Sequence, residues 1–511
     1  MFRLVINPAR RIGPVSPLIF GSFIENLERC IHGGVYDPGS PQADADGLRR
    51  DVIAHARAIG VSIVRFPGGC FAPYYHWRDG VGPVAGRPRT RYGGMELGGA
   101  KGEKWPSSNA FGTDEFVAWC RKVGAEPFIC VNLGSGTPEE ARDWVEYCNQ
   151  PAGSRWADLR IANGHPEPYN VRWWAIGNEI SGAWEFGHAP DPDDFVRRAR
   201  EYARVMRQAD PAIKLAIAGS HFPLDHRHRD WNRTVLEELH GHVDAITIHH
   251  YAGLMGASNV SGSEGPPRWD EIGPEAVHRR ICRGLMDVED AVRVVREDIR
   301  LVNHRRKKSR PISIGFTEYG IWYRTWLKLH DEHFNLADAL ALAAYFHIFI
   351  RNADVVTLAN HAQLVHVLAP ILVESGGAAS LRQTIGLVPE LFLPNRGRTA
   401  IDCWHDGPAW CEELGVAVPA LDASASVGDD GVVLLNLTNR DPAQALAVDL
   451  RLGDGPARIL DGRILGDGLP LTATNTFDDP QVATLRPWAG DGRLVVPAAS
   501  SGCWRVVAAD G

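Results

Sequence analysis

Two glutamates mark the chemistry this chain could perform. Glu179 closes the string Trp173-Trp174-Ala175-Ile176-Gly177-Asn178-Glu179, and Glu318 lies in Ile314-Gly315-Phe316-Thr317-Glu318-Tyr319-Gly320. Each directly follows a short apolar run of the kind that forms a buried strand, where a carboxylate is costly unless it is paired or used. If both face one pocket, they could act as the acid/base and nucleophile of a retaining glycosidase, a reaction that needs carboxyl groups about 5 to 5.5 Å apart. Either alone could equally be the salt-bridge partner of a buried arginine. Arg65 suits both accounts, neutralising Glu318 structurally or holding it ionised as a nucleophile.

Other residue types point towards a sugar site. Arg65-Phe66-Pro67-Gly68-Gly69-Cys70 allows backbone to approach a ligand closely. Trp77, Trp105, Trp184, Trp322 and Trp326 follow strand-like runs, where flat rings could stack on sugar faces, although any single tryptophan is more often plain packing. His221, His226, His228, His249 and His250 are numerous but lack HExxH or HxxxH helical spacing, so no metal site is expected. Cys70 could be a nucleophile, yet no partner histidine lies near it in sequence. Neither a Walker loop nor a dinucleotide-binding glycine motif is present, and no cofactor is expected.

The elements that must position these residues alternate along the chain. Apolar runs fall at residues 18–24, 62–66, 127–131, 173–176, 215–218, 245–248, 312–316 and 355–358. They are short, rich in β-branched and aromatic residues, and lack strict polar alternation, as parallel strands buried on both faces do. Amphipathic helices are predicted between them, including 47–59, 113–123, 193–208, 277–303 and 335–351, with start signals such as Thr137-Pro138-Glu139-Glu140 and Asp191-Pro192-Asp193-Asp194. Eight alternations are what a closed (β/α)₈ TIM barrel requires. The polar residues at the strand ends, Glu25-Asn26, Arg65, Asn132, Asn178-Glu179, Ser220-His221, His249-His250-Tyr251, Glu318 and Asn360, converge on one face only if the sheet closes.

After about residue 380 Gly, Asp and Pro become dense and β-like segments follow one another at 431–437, 445–452, 457–460, 492–496 and 502–508. This texture predicts an α/β fold made of a catalytic barrel over 18–380 and a C-terminal antiparallel β-sandwich domain over 381–511 that includes residues 1–17. The run Arg305-Arg306-Lys307-Lys308 reads as a solvated helix end. Residues 253–274, rich in Gly, Ser and Pro, could be a lid or a passive surface loop.

Composition narrows the setting. The chain has 511 residues, of which 44% are hydrophobic and 23% charged, with 54 Lys+Arg against 62 Asp+Glu and a formal charge of −8. A mildly acidic chain of this kind argues against nucleic-acid binding, and no apolar stretch is long enough for a membrane span. Nine cysteines, an odd number without a CxxC pair, and an N-terminus without a signal-like apolar region read as a cytoplasmic protein with reduced thiols.

The motifs together resemble the α-L-arabinofuranosidases of glycoside hydrolase family 51. The resemblance is carried by Phe20-Gly21-Ser22-Phe23-Ile24-Glu25-Asn26, Arg65-Phe66-Pro67-Gly68-Gly69, the string from Tyr75-His76-Trp77 to Gly82-Pro83, Gly177-Asn178-Glu179 with Trp184-Glu185-Phe186-Gly187-His188, and Asn360-His361-Ala362-Gln363-Leu364-Val365. It implies a retaining barrel glycosidase in which Glu179 is the acid/base, Glu318 the nucleophile and Asn178 the partner of the sugar 2-hydroxyl. Glu25, Cys70 and Gln363 match positions that hold furanose hydroxyls. Tyr251 and His249 match residues that position the nucleophile and the acid, Arg65 the arginine beside the nucleophile, and Trp105 a subsite tryptophan.

The resemblance further implies arabinose-containing oligosaccharides as substrates, cleaved from the non-reducing end, and a homo-oligomer, commonly a hexamer. The chain departs from the family pattern at Thr317 and Tyr319, where Asp-Glu-Trp is common, at Asn26, where histidine is frequent, and in the short segment 105–111. A β-1,4-glucan or xylan hydrolase on the same scaffold, a silent sugar-binding protein and a metal-dependent hydrolase remain alternatives.

Overall fold

The computed structural model describes residues 1–91, 106–225, 230–260, 269–307, 311–324, 332–374, 377–490 and 492–509. Its centre is a closed barrel of eight parallel strands: Gly21–Phe23, Ile63–Phe66, Glu126–Val131, Trp173–Ile176, Lys214–Ala218, Ala245–Ala252, Ser313–Ile321 and Val356–His361. The eighth strand pairs with the first at Asn360 and Gly21, and the first with the second at Ser22 and Val64. The second and fourth strands are buried at every residue, which is why their sequences show no polar alternation.

Each apolar run thus holds a barrel strand, with shifted ends. Pro17–Phe20, which takes in the head of the first run, forms a 3₁₀ turn capped by Ser16, whose Oγ accepts from the Leu18 amide at 3.2 Å. The sixth, seventh and eighth strands extend beyond their apolar runs, so His249, Tyr251 and Glu318 sit within strands and not after them. Backbone pairing continues through these polar residues because the barrel interior satisfies their side chains.

The helices form where apolar periodicity and caps coincide. Pro138–Asn149 begins with Thr137 Oγ1 accepting from the Glu140 amide, and Pro192–Ala209 with Asp191 accepting from Asp194. Leu336–Arg351 opens with a reciprocal capping box between Asn335 and Asp338. This helix is buried along almost its entire length because it lies between the barrel and the second domain, which explains why it is apolar all round.

That second domain is one nine-stranded sheet, with Phe2–Pro14 between Thr399–His405 and Leu446–Leu452. A hairpin pairing at Leu452 and Gly455 folds the sheet back on itself over a core that includes Leu4, Ile6, Leu435, Val448 and Trp504. It is antiparallel except where the N-terminal strand runs parallel to Leu446–Leu452. Two of its strands, Thr399–His405 and Leu421–Val427, carry no apolar run to announce them. In Leu421–Val427 the buried positions include Asp422, Ser424 and Ser426, which are hydrogen-bonded and not apolar. No described helix is long and apolar enough to cross a membrane.

Candidate active site

Glu318 is fixed from two sides. Arg65, from the end of the second strand, donates Nη1–H to Glu318 Oε1 at 2.6 Å, and the Tyr251 hydroxyl donates to Oε2 at 2.8 Å. The seventh strand carries a register shift between Phe316 and Glu318 against the sixth. A bulge of this kind re-aims side chains, so Thr317 and Glu318 both reach site residues instead of alternating away from one another.

Glu179 stands opposite, three residues past the end of the fourth strand, with a left-handed φ of 41° that is costly for a non-glycine residue. Its Oε2 accepts from Trp184 Nε1 at 2.7 Å, and its Oε1 lies 2.9 Å from His249 Nδ1. The same Nδ1 is 3.7 Å from Glu318 Oε2, and Thr317 Oγ1 meets His249 Nε2 at 2.9 Å. One imidazole nitrogen therefore stands between the two carboxyls, and oxygens of Glu179 and Glu318 approach within 4.8 Å. Acid/base chemistry at neutral pH requires a protonated Glu179. Burial does raise its pKa, but the hydrogen bond and charge of His249, with His221 and Trp184, outweigh burial and bring it down to about 2. The 2.9 Å contact is a route by which a proton can pass between the imidazole and the Glu179 carboxyl.

Around this pair the remaining candidates close a small polar ring. Asn178 Oδ1 accepts from Arg65 Nη2 at 2.6 Å, and its Nδ2 faces Cys70 Sγ at 4.0 Å. Glu25 accepts from the Phe71 amide and from Gln363 Nε2, both at 2.8 Å. Burial, aided by the charge of Glu318, pushes Glu25 up to about 8. The glycine pair lets this ring contract: a Cβ at Gly69 would lie 2.9 Å from Glu318 Oε1, and one at Gly68 would lie 2.6 Å from Glu25 Oε1.

Known proteins carry the same arrangement of domains. Residues 55–256 match the family model "Alpha-L-arabinofuranosidase 1 domain", and residues 317–500 match "Alpha-L-arabinofuranosidase C-terminal domain". An intracellular exo-alpha-(1->5)-L-arabinofuranosidase of Streptomyces lividans is 34% identical over 514 residues, covering 96% of this chain and 73% of its own. The chain belongs to the family 51 α-L-arabinofuranosidases. It is a glycoside hydrolase. A family 51 enzyme of Bifidobacterium longum superposes with a TM-score of 0.87 at 28% identity, covering 99% of both chains. The arabinose complex of a Thermotoga maritima α-L-arabinofuranosidase gives 0.84 at 31% identity, covering 100% of both.

Within this arabinofuranosidase, Glu25, Arg65, Cys70, Asn178, Glu179, His249, Tyr251, Glu318 and Gln363 are brought together. Other polar strand ends are not part of this ring. Asn132 accepts from the Gly134 and Gly136 amides, Asn360 donates to the Ser22 carbonyl, and His250 contacts Tyr345. Trp77 is no sugar platform: it is buried, donates to the Glu140 carbonyl and stacks on Trp144. Trp322 packs edge-on against Tyr251. Trp105, Trp326, His226 and His228 lie outside the described residues, as does the middle of the 253–274 loop.

Two alternative chemistries meet physical obstacles. Burial and the surrounding carboxylates, Glu185 first among them, push the Cys70 thiol well up, which opposes a cysteine nucleophile. Ligand-type atoms do approach within 4.8 Å in the sets Cys70, Glu179, Glu185 and Glu179, His249, Glu318. Both Glu179 oxygens are engaged, however, and the Arg65 guanidinium on Glu318 would repel a second cation. Sequence reasoning did not single out Thr317 as the support of His249, or Glu185, whose Oε1 accepts from Asn178 at 3.0 Å. For Glu185 the available signal was an acidic residue within the Trp184–His188 motif.

Proposed function

We propose that the chain is a retaining exo-α-L-arabinofuranosidase that removes terminal arabinofuranosyl units from arabino-oligosaccharides in the cytoplasm. The observation that carries this reading is the approach of Glu179 and Glu318 oxygens within 4.8 Å. Retaining enzymes hold their carboxyls about 5 to 5.5 Å apart, whereas inverting enzymes need about 6.5 to 9.5 Å to admit a water. The relatives' names support the exo mode, the sugar and the intracellular setting.

In this reading Glu318, held by Arg65 and Tyr251, attacks the anomeric carbon. Glu179, in proton exchange with His249 across their contact, protonates the leaving oxygen. Asn178 binds the 2-hydroxyl, an interaction that strengthens as the sugar flattens towards an oxocarbenium ion. Glu179, again a carboxylate paired with His249, then takes the proton of the water that releases the sugar. Glu25, Cys70 and Gln363 hold the remaining hydroxyls. We place the barrel at residues 18–380, with 1–17 and 381–511 forming the second domain, and expect a homo-oligomer, a hexamer by family resemblance, that light scattering would size.

The test is proton NMR of the first-formed anomer with an aryl α-L-arabinofuranoside, beside β-D-xyloside and β-D-glucoside controls. Retention is expected for the arabinofuranoside, and inversion would sink the double displacement. Glu318→Ala should abolish turnover. Glu179→Ala should lose about 10²- to 10⁴-fold, with azide partly restoring activity on an activated leaving group; an unchanged Glu179→Ala enzyme would remove it from the role.

A further inference from the structure

Four carboxyls meet at this end of the barrel, and only two of them have a basic partner. Arg65 holds Glu318, and His249 lies against Glu179. Glu25 is held by an amide and a glutamine, both neutral. Glu185 is only 4% exposed, and its Oε2 has no well-formed hydrogen bond among the described residues, although the Cys70 thiol interacts with this carboxyl. The ionisable groups that act on it include Glu179, Glu318 and Glu25, the Cys70 thiol, Tyr74 and Cys130. An oxygen of Glu185, an oxygen of Glu179 and Cys70 Sγ all lie within 4.8 Å of one another. A second buried carboxylate this close to Glu179, without its own cation, is strongly disfavoured. Burial first, and the charge of Glu179 next, push Glu185 well above the usual range.

The neighbour of Glu185 shows what it is for. Asn178 Oδ1 accepts from Arg65 Nη2 at 2.6 Å, while Asn178 Nδ2 donates to Glu185 Oε1 at 3.0 Å. A guanidinium demands an acceptor on one side of the amide, and the carbonyl oxygen of an acid demands a donor on the other, so the amide cannot flip. Its second Nδ2 hydrogen is left on the side of Cys70 Sγ, 4.0 Å away.

We propose that Glu185 is a positioning residue for recognition of the sugar 2-hydroxyl that works as a neutral carboxylic acid, its Oε1 locking the Asn178 amide. This deepens the double-displacement reading and rests on it. The neutral acid orients Asn178 without adding negative charge beside Glu179.

The test compares the wild type with Glu185→Gln and Glu185→Ala on an aryl α-L-arabinofuranoside and its 2-deoxy analogue, resolving kcat and KM. Glutamine keeps an oxygen for Asn178 and an N–H in place of the acid's O–H, whereas alanine keeps neither. On the full sugar Glu185→Ala should lose about 10²-fold in kcat/KM, mainly in kcat, the scale of a misplaced transition-state contact. Glu185→Gln should recover about tenfold or more of that loss. On the 2-deoxy sugar, which offers Asn178 no 2-hydroxyl, the three enzymes should agree within about threefold. The alkaline limb of kcat/KM should keep its place in Glu185→Gln, because one neutral group replaces another. An equal loss on both sugars, a glutamine variant as impaired as alanine, or a limb displaced by about one pH unit, the mark of a removed charge, would each overturn the proposal. If the wild type turns over neither sugar, the reading beneath it falls and this proposal falls with it; if it turns over the full sugar, the variants judge Glu185 alone.

Discussion

Glu25 shows how a single buried carboxyl ties this site to the stability of the whole chain. Its proton is held up to about 8, against 4.5 for a free carboxyl, because burial and the Glu318 charge outweigh the Phe71 and Gln363 hydrogen bonds. The folded chain therefore binds this proton more tightly than the unfolded chain does. The resulting stability is complete below about pH 4.5 and is lost as pH rises through about 8, a change on the order of 5 kcal/mol. Glu25→Gln should flatten that slope in urea titrations between those pH values. Gln363 can accommodate the new amide by turning its Oε1, which is without a partner among the described residues, towards it. A variant with the wild-type slope would show that Glu25 is not the titrating group. Glu25, Glu179 and Glu318 were legible in the sequence because acidic residues at the ends of apolar runs are expensive. The pairing of Glu179 with His249 was not, since it depends on a 2.9 Å contact between residues seventy positions apart.

Among the elements, the second-strand loop and the seventh strand set the position of the nucleophile together. The bulge at Thr317 presents Glu318 to Arg65, and the Gly68-Gly69 backbone passes close enough that any side chain would intrude. Gly69→Ala should place a methyl 2.9 Å from Glu318 Oε1. The carboxylate must then shift, and displacement of a reacting group by about 1 Å costs about 10²-fold. That loss should appear in kcat, with the melting temperature changed by only a few degrees; wild-type kcat would show that the loop yields instead. The eight barrel strands could be read from apolar runs because burial on both faces removes polar residues from them. The bulge could not, since Ile314-Gly315-Phe316-Thr317-Glu318 reads as an ordinary strand until its partner's register is known. Leu421–Val427 escaped notice because one of its two buried faces is built from Asp422, Ser424 and Ser426 and the other from Leu421 and two alanines, so it carries no apolar run.

At the scale of the molecule, the barrel and the second domain share one interior. Ala400, Leu434, Leu465 and Cys503 of the sheet belong to the same apolar cluster as Phe346 and Phe392, and His347 of the buried helix bonds both Ser424 and Thr438. The polar centre of this junction is Asp422, which accepts from Arg351 at 2.5 Å and from Arg440. Burial raises its pKa, but the two guanidiniums outweigh burial and hold the carboxyl well below the usual range. Its contribution is therefore present above the ordinary carboxylate pKa and is lost as pH falls below it. Asp422→Ala would leave two largely buried guanidiniums facing each other, at a cost of about 3 to 5 kcal/mol near neutral pH. Arg351 keeps Glu289 at 2.8 Å, which places the expected loss at the lower end of that range. Urea unfolding at pH 7 and pH 3 should show this gap narrowing in acid, because near pH 3 the carboxyl of the unfolded wild-type chain takes up a proton while the folded one, held by its two guanidiniums, stays ionised. Because the two domains are joined by a continuous core and not by a linker, wild type and variant should each unfold in one cooperative step. Two separated transitions in the variant would mean that Asp422, and not the shared apolar cluster, couples the sheet to the barrel that carries the site.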